Sequence, residues 1–424
     1  MTNNVIYYGP PGTGKTYMMQ NLISDYTDYN VLDKAIEEAY ITTSLDWVLY
    51  ALIIMQNNNP MTPKEILDKI RTLSFGKSYS NTPTDILDLH SINDSPMGTR
   101  RLSPRIFFEI KGYWYVDRIK VLEYDNDFIT KYLSSDCIEK RYDFVTFHQS
   151  FVYEDFIEGI RPYHDKSTST IGYEVQDGIF KQICDTARKN PHKDYALFID
   201  EINRGNISEI FGELITLIED DKRLGQSCEL TTTLPYSKTE FGVPGNLKIV
   251  GSMNSADRSI AMLDIALRRR FEFINISCNY LELEITLKQV GINPHDIDGI
   301  DIIKLLKTIN YRIEVMLDEN YIIGHAYFIK ARNFEEIKSV IIKKIIPLLE
   351  EYFFDDLEKI QLIFSDLDEN GSLKTNAIYK HKELDVDDLF EYVGEYSFET
   401  KKSYYVYEEF NVDSVIKVYD GVNV

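Results

Sequence analysis

The chain has 424 residues, 44% of them hydrophobic and 13% aromatic, and carries a formal net charge of −22. That length exceeds one ordinary hydrophobic core and predicts two to four domains, while the composition excludes a disordered or fibrous chain. The acidic balance excludes a protein that coats nucleic acid with its whole surface, and no run reaches the roughly 18 apolar residues of a membrane span.

The charge is uneven. Residues 351–424 hold 18 acidic and 7 basic side chains, whereas residues 49–118 hold 9 basic and 7 acidic. Any nucleic-acid surface is therefore expected in the second segment, by local clustering. Cys137, Cys184, Cys228 and Cys278 lie far apart without a Cys-x-x-Cys pair. They are expected to be reduced, buried thiols of a cytoplasmic protein, with neither a metal site nor a disulfide framework. No basic-then-apolar leader precedes residue 9, in keeping with that compartment.

The first predicted element is the apolar strand Val5-Ile6-Tyr7-Tyr8, followed by Gly9-Pro10-Pro11-Gly12-Thr13-Gly14-Lys15-Thr16 and a helix from Tyr17. Strand, glycine loop and helix N-terminus together form the phosphate-binding P-loop pattern. Glycines let backbone N–H groups turn around a phosphate, Lys15 reaches the terminal phosphates, and the Thr16 hydroxyl can ligate Mg²⁺. This pattern predicts binding of a nucleoside triphosphate.

The second core strand is expected only at Asp143–Phe147, so residues ~31–135 read as an insertion. It holds an apolar helical run from Leu45 to Met55, and a helix start at Thr62-Pro63-Lys64-Glu65 with Thr62 as N-cap. A further helix is expected around Thr82–Leu89, and a hairpin at Ile106–Ile110 and Tyr113–Val116 around Lys111-Gly112. Three helices and a hairpin are the order of a winged helix. As a DNA reader it would use Arg100, Arg101, Arg105 and Lys111 for phosphate contacts; protein docking is the alternative.

Between Arg161 and Ile179 a polar stretch separates β-prone runs, as a pore-facing hairpin or a surface loop. Next comes Tyr195-Ala196-Leu197-Phe198-Ile199-Asp200-Glu201, an apolar strand ending in two acids, the Walker B pattern. Asp200 would hold Mg²⁺, and Glu201 would orient the attacking water. A third buried strand, Leu247–Met253, ends in the amide Asn254, and Arg268-Arg269-Arg270 follow as candidate arginine fingers. Residues ~280–290, ~301–318 and ~333–352 carry apolar residues at helical spacing, and the tail alternates at Ser403–Tyr407.

These motifs resemble the McrB-type motor subunit of methylation-dependent (type IV, McrBC-like) restriction systems, within the AAA+ superfamily. The resemblance is carried by Gly9–Thr16, by Phe147–Ser150 with Tyr153–Pro162, by Phe198–Asn206 with Phe211–Leu214, and by Met253–Ser259. Ile323–Phe328 and Ile346–Phe353 add to it. The element Met253-Asn254-Ser255-Ala256-Asp257-Arg258 is the most specific.

The resemblance implies an α/β AAA+ core with a parallel sheet and a helical lid. The expected parts are the core at residues 1–30 and 136–275, the insertion at 31–135, the lid at 276–355 and an acidic extension at 356–424. It further implies a hexameric ring that hydrolyses GTP with Mg²⁺ and is activated by an McrC-like nuclease subunit. Asn254 and Asp257 would shape the water, and Arg258 with Arg268 or Arg269 would act at the subunit interface. His325 would sit in the lid near the nucleotide, or be a core histidine. GTP over ATP rests on the resemblance alone.

The insertion similarly resembles a HARE-type winged helix. No nuclease constellation is evident, so cutting DNA would need another chain. Many McrB-type proteins place a modified-base reader before the P-loop, and no room is left for one here; recognition is then expected from the insertion, the tail or another subunit. An ATP-driven MoxR-like remodeller and a nucleotide-gated binding module are the alternatives.

Overall fold

The structure, a computed structural model, describes residues 3–31, 35–36, 46–57, 61–72, 83–92, 102–110, 112–125, 128, 132–165, 170–257, 265–384 and 401–422. The chain divides into two compact units. The first comprises residues 1–4, 16–200 and 205–251, and the second residues 5–15, 201–204 and 252–424.

In the first unit the strand Tyr142–Thr146 and the stretch 247–251 flank Tyr195–Asp200, all parallel. Phe198 sits at the centre, opposite Phe144 on one side and Val250 on the other. Residues Tyr195–Ile199 are fully or almost fully buried, the pattern of a parallel strand covered on both faces. The amphipathic helix Ile179–Lys189 packs against this strand and buries Phe180, Ile183, Cys184 and Ala187.

The insertion is closed at its base by an antiparallel ribbon, Thr27–Val31 with Leu133–Lys140. Inside it, helices Asp46–Asn57, Pro63–Thr72 and Pro83–Leu89 share one core with the hairpin Phe107–Ile110/Tyr113–Val116. Every residue from Trp47 to Met55 is buried, so this helix forms the centre of the module. Thr62 and Glu65 form the expected capping box: the Thr62 amide donates to Glu65 at 2.7 Å, and the Glu65 amide donates to Thr62 at 3.3 Å.

Also in the first unit, Glu158–Asp165 and Thr170–Asp177 pair as a long antiparallel ribbon. Ile160, Ile171, Tyr173 and Val175 are exposed on it. One expectation fails among the cysteines. Cys184 is buried, but Cys228 is exposed because it lies in a turn-rich segment after Lys222 rather than in a core element.

In the second unit the P-loop strand Asn4–Gly9 pairs in parallel with Glu272–Asn275, Val5 facing Glu272 and Tyr8 facing Asn275. Helices Tyr280–Gln289, Ile302–Met316 and Phe334–Val340 follow, capped by Asn279, Asp301 and Asn333, each accepting from an amide three residues on. The last continues through a π-helical turn, Ile341–Ile345, into Ile346–Tyr352. Pro347 lacks an N–H, and the widened turn just before it lets the helix run on.

The lid and the acidic tail share one hydrophobic core, in which Leu305, Ile309 and Leu349 pack with Ile360, Phe364, Tyr379, Phe410 and Val418. Asp366, fully buried, accepts from the Ile378 and Tyr379 amides at 2.8 and 2.7 Å and pairs with Lys417 at 2.7 Å. Burial raises the Asp366 carboxyl and lowers the Lys417 ammonium, each against the pull of the other. Among the described residues no helix is long and apolar enough to cross a membrane.

Candidate nucleotide-binding and hydrolysis site

The second unit brings together the P-loop, Glu201, the Asn254–Asp257 loop and the lid; Thr16 and Asp200 belong to the first unit. Gly12 and Gly14 stand at φ +75 and +87, the left-handed region that a side chain disfavours, and space beyond Gly14 is open. This turn leaves a concave loop of backbone at the start of helix Lys15–Ile23. The Lys15 ammonium is buried and donates to the Gly9 and Pro10 carbonyls at 2.9 and 2.7 Å, and the Thr13 hydroxyl donates to Pro10 at 3.0 Å. A cradle of this shape with a buried cation fits a polyphosphate.

Two lid residues clamp the loop. The Gly324 amide donates to the Pro11 carbonyl at 3.0 Å, and the Ala326 amide to the Gly12 carbonyl at 2.9 Å. Gly324 is at φ −72, open to any residue, but a Cβ there would lie 1.9 Å from Gly12 backbone atoms. Close approach, not conformation, requires glycine here. The Tyr327 ring lies over Gly12, where an added Cβ would meet it at 2.3 Å.

His325 is buried between these residues. Its Nδ1 accepts from the Asn279 amide at 3.1 Å, and its Nε2 faces Glu282 at 3.4 Å. Burial lowers its pKa, with Glu282 opposing; as an acceptor Nδ1 carries no proton, which puts the ring N–H on Nε2. The core-histidine alternative matches these contacts, since both ring nitrogens are engaged within the lid.

Glu201 follows the apolar strand and stands at φ +52, uncommon for a residue with a side chain. The Asn254 amide donates to its Oε1 at 2.7 Å. The Arg204 Nε lies 3.2 Å from its Oε2, and the other end of the same guanidinium reaches Asp257 at 3.2 Å. Asn203, buried, donates to the Asn254 carbonyl at 3.4 Å, and the Ser255 amide donates to the Gly9 carbonyl at 2.9 Å. Burial pulls the Arg204 pKa down, and the Glu201 and Asp257 carboxylates outweigh it and raise it.

Glu201, Asn254 and Asp257 are thus gathered as a network. Arg204 is its missing member in the sequence reading: it stood inside a motif, but only the three-residue turn after Glu201 aims it back. Arg268 and Arg269 are exposed, Arg268 over the Phe273 ring at 5.8 Å, and neither joins this network. Arg258, Arg100, Arg101 and Lys111 lie outside the described residues, and Arg105 is exposed. Among the described residues no group of three or more His, Cys, Asp or Glu could hold a metal.

Comparison with known proteins agrees with this architecture. Residues 128–271 match the AAA domain of the dynein-related subfamily, so the core is an α/β AAA+ nucleotide-binding fold. Residues 301–361 match the McrB alpha-helical lid domain. It is 37% identical over 241 residues to the type IV methyl-directed restriction enzyme EcoKMcrB subunit of Escherichia coli K12, covering 54% of this chain and 50% of that one. It is 29% identical over 170 residues to the type II restriction enzyme BsuMI component YdiS of Bacillus subtilis 168, covering 33% and 48%. The chain spans about half the length of these curated relatives, 50% and 48%.

Proposed function

We propose that this chain is the GTP-hydrolysing motor subunit of a McrBC-like DNA restriction or phage-defence system, a cytoplasmic hexamer that drives a separate McrC-like nuclease subunit. The observation that carries the reading is the 2.7 Å hydrogen bond from Asn254 to Glu201. An amide and a carboxylate held together at the ends of two strands can orient one water between them, which is the main task at a loose phosphoryl transition state.

In this reading the Gly9–Thr16 loop binds the phosphates, with Lys15 turning from its carbonyls to the terminal oxygens. Thr16 and Asp200 would hold Mg²⁺, which would supply positive charge beside the phosphates when bound. Glu201 accepts a proton from the water, Asn254 and Asp257 fix its position, and Arg258 with Arg268 or Arg269 serves a neighbouring copy. His325 supports the lid from within. The insertion, as a HARE-like winged helix, contacts DNA phosphates through Arg100, Arg101, Arg105 and Lys111. Its helix Pro83–Leu89 is unsuited to that task, because it carries Asp85 and Asp88 and no basic residue.

The test measures GTP and ATP turnover side by side, with and without the product of the adjacent gene. Glu201→Gln is expected to bind nucleotide and lose at least about 100-fold in turnover. Retained turnover would reject the role of Glu201; a strong ATP preference would reject the GTPase and favour a remodelling ATPase.

A further inference from the structure

Glu201 keeps a left-handed backbone at φ +52, which costs about 1–2 kcal/mol for a residue with a side chain. Such a conformation persists only where its surroundings over-determine it. Those surroundings are specific. The Glu201 amide donates to the Ser252 hydroxyl at 3.4 Å, Asn254 donates to Oε1, and Arg204 engages Oε2. The Arg204 amide also donates back to the Glu201 carbonyl at 2.8 Å, closing a tight turn.

We propose that Arg204 is a positioning residue, a latch that parks the Glu201 carboxylate in a resting orientation, with Asp257 as its release point. The inference rests on Glu201 being the water-orienting group. With Oε1 held by the Asn254 amide and Oε2 by the Arg204 guanidinium, the carboxylate is fixed in one orientation and cannot turn toward a water. Freeing Oε2 requires the guanidinium to leave.

Asp257 already competes for that guanidinium at the same 3.2 Å distance, and it sits on the loop that continues into Arg258. Arg204 is 48% exposed, so the contact is weak enough for one new interaction to reverse. A carboxylate presented by a neighbouring copy or by a partner would draw Arg204 away and leave Glu201 to the water. Ala256, between Asn254 and Asp257, is buried in the lid core, so lid movement also reaches this latch.

The test uses the full chain. Arg204→Ala is expected to raise kcat about two- to five-fold with KM unchanged, and Arg204→Lys to restore the resting rate by replacing the cation. In the nucleotide-free chain, Arg204→Ala should also speed hydrogen exchange across residues 201–204 and 252–257, where the latch ties the two segments together. A fall in kcat for Arg204→Ala, or unchanged exchange in both segments, would overturn the latch. Glu201→Gln run in parallel separates the two readings: if it keeps turnover, the role of Glu201 fails, while the exchange result still judges the contact itself.

Discussion

Substituting Gly324 by alanine isolates one contact. Its φ of −72 accommodates alanine, so no backbone strain is added. The new Cβ would lie 1.9 Å from the Gly12 carbonyl carbon and oxygen and 2.4 Å from the Thr13 nitrogen, all backbone atoms that cannot rotate aside. Restoring ordinary contact moves the lid loop by about 1.5 Å, which breaks the 3.0 and 2.9 Å hydrogen bonds to Pro11 and Gly12. Two such bonds contribute about 1–3 kcal/mol. With the clamp holding the P-loop in its binding-competent shape, nucleotide affinity should fall by about 5- to 150-fold.

Titration with a fluorescent GTP analogue measures this, with circular dichroism confirming the fold. Gly371→Ala serves as control: it stands at φ +77 with nothing within 4 Å, so it should cost about 1–2 kcal/mol of stability and leave nucleotide affinity unchanged. An unchanged affinity in a folded Gly324→Ala protein would refute the clamp.

Two further outcomes concern the lid and tail. Asp366→Ala leaves Lys417 buried and two amides without their acceptor, so urea unfolding should show a loss of about 3–5 kcal/mol. Adding Lys417→Met should recover part of it; a loss below about 1 kcal/mol would contradict the buried pair. Burial holds the His325 pKa below its unfolded value, so its contribution to stability is present above pH ~6.5 and is lost as pH falls below that toward the lower folded value. His325→Gln should flatten the decline in unfolding free energy between about pH 7.5 and 5.5, and an identical slope would place the imidazole in water.

The motifs legible in the sequence are those whose chemistry is local. Gly9–Thr16 and Leu197–Glu201 each combine a strand with its loop inside a few residues, and the Thr62–Glu65 cap reads from spacing alone. The ribbon of Thr27–Val31 with Leu133–Lys140 did not show, because its partners are about a hundred residues apart and mix polar with apolar positions. The Gly324 clamp was hidden for a related reason: a missing side chain has meaning only once its neighbour is known. The tail looked separate because it is acidic, yet Ile360, Tyr379 and Val418 are buried with the lid helices. Charge reported its outer face, and the apolar residues between the charges decided where it packs.

The pairing of Val5 with Glu272 also has a consequence for synthesis. The ribosome makes the P-loop strand and then must add 267 more residues before the partner of Val5 exists. At roughly 5–20 residues per second this takes about 13–53 s. During that interval Ile6, later wholly buried, belongs to a strand that cannot yet pair with Glu272–Asn275. Completing that pair waits on residues far down the chain, and slowing translation before residue 272 should increase aggregation of the emerging chain.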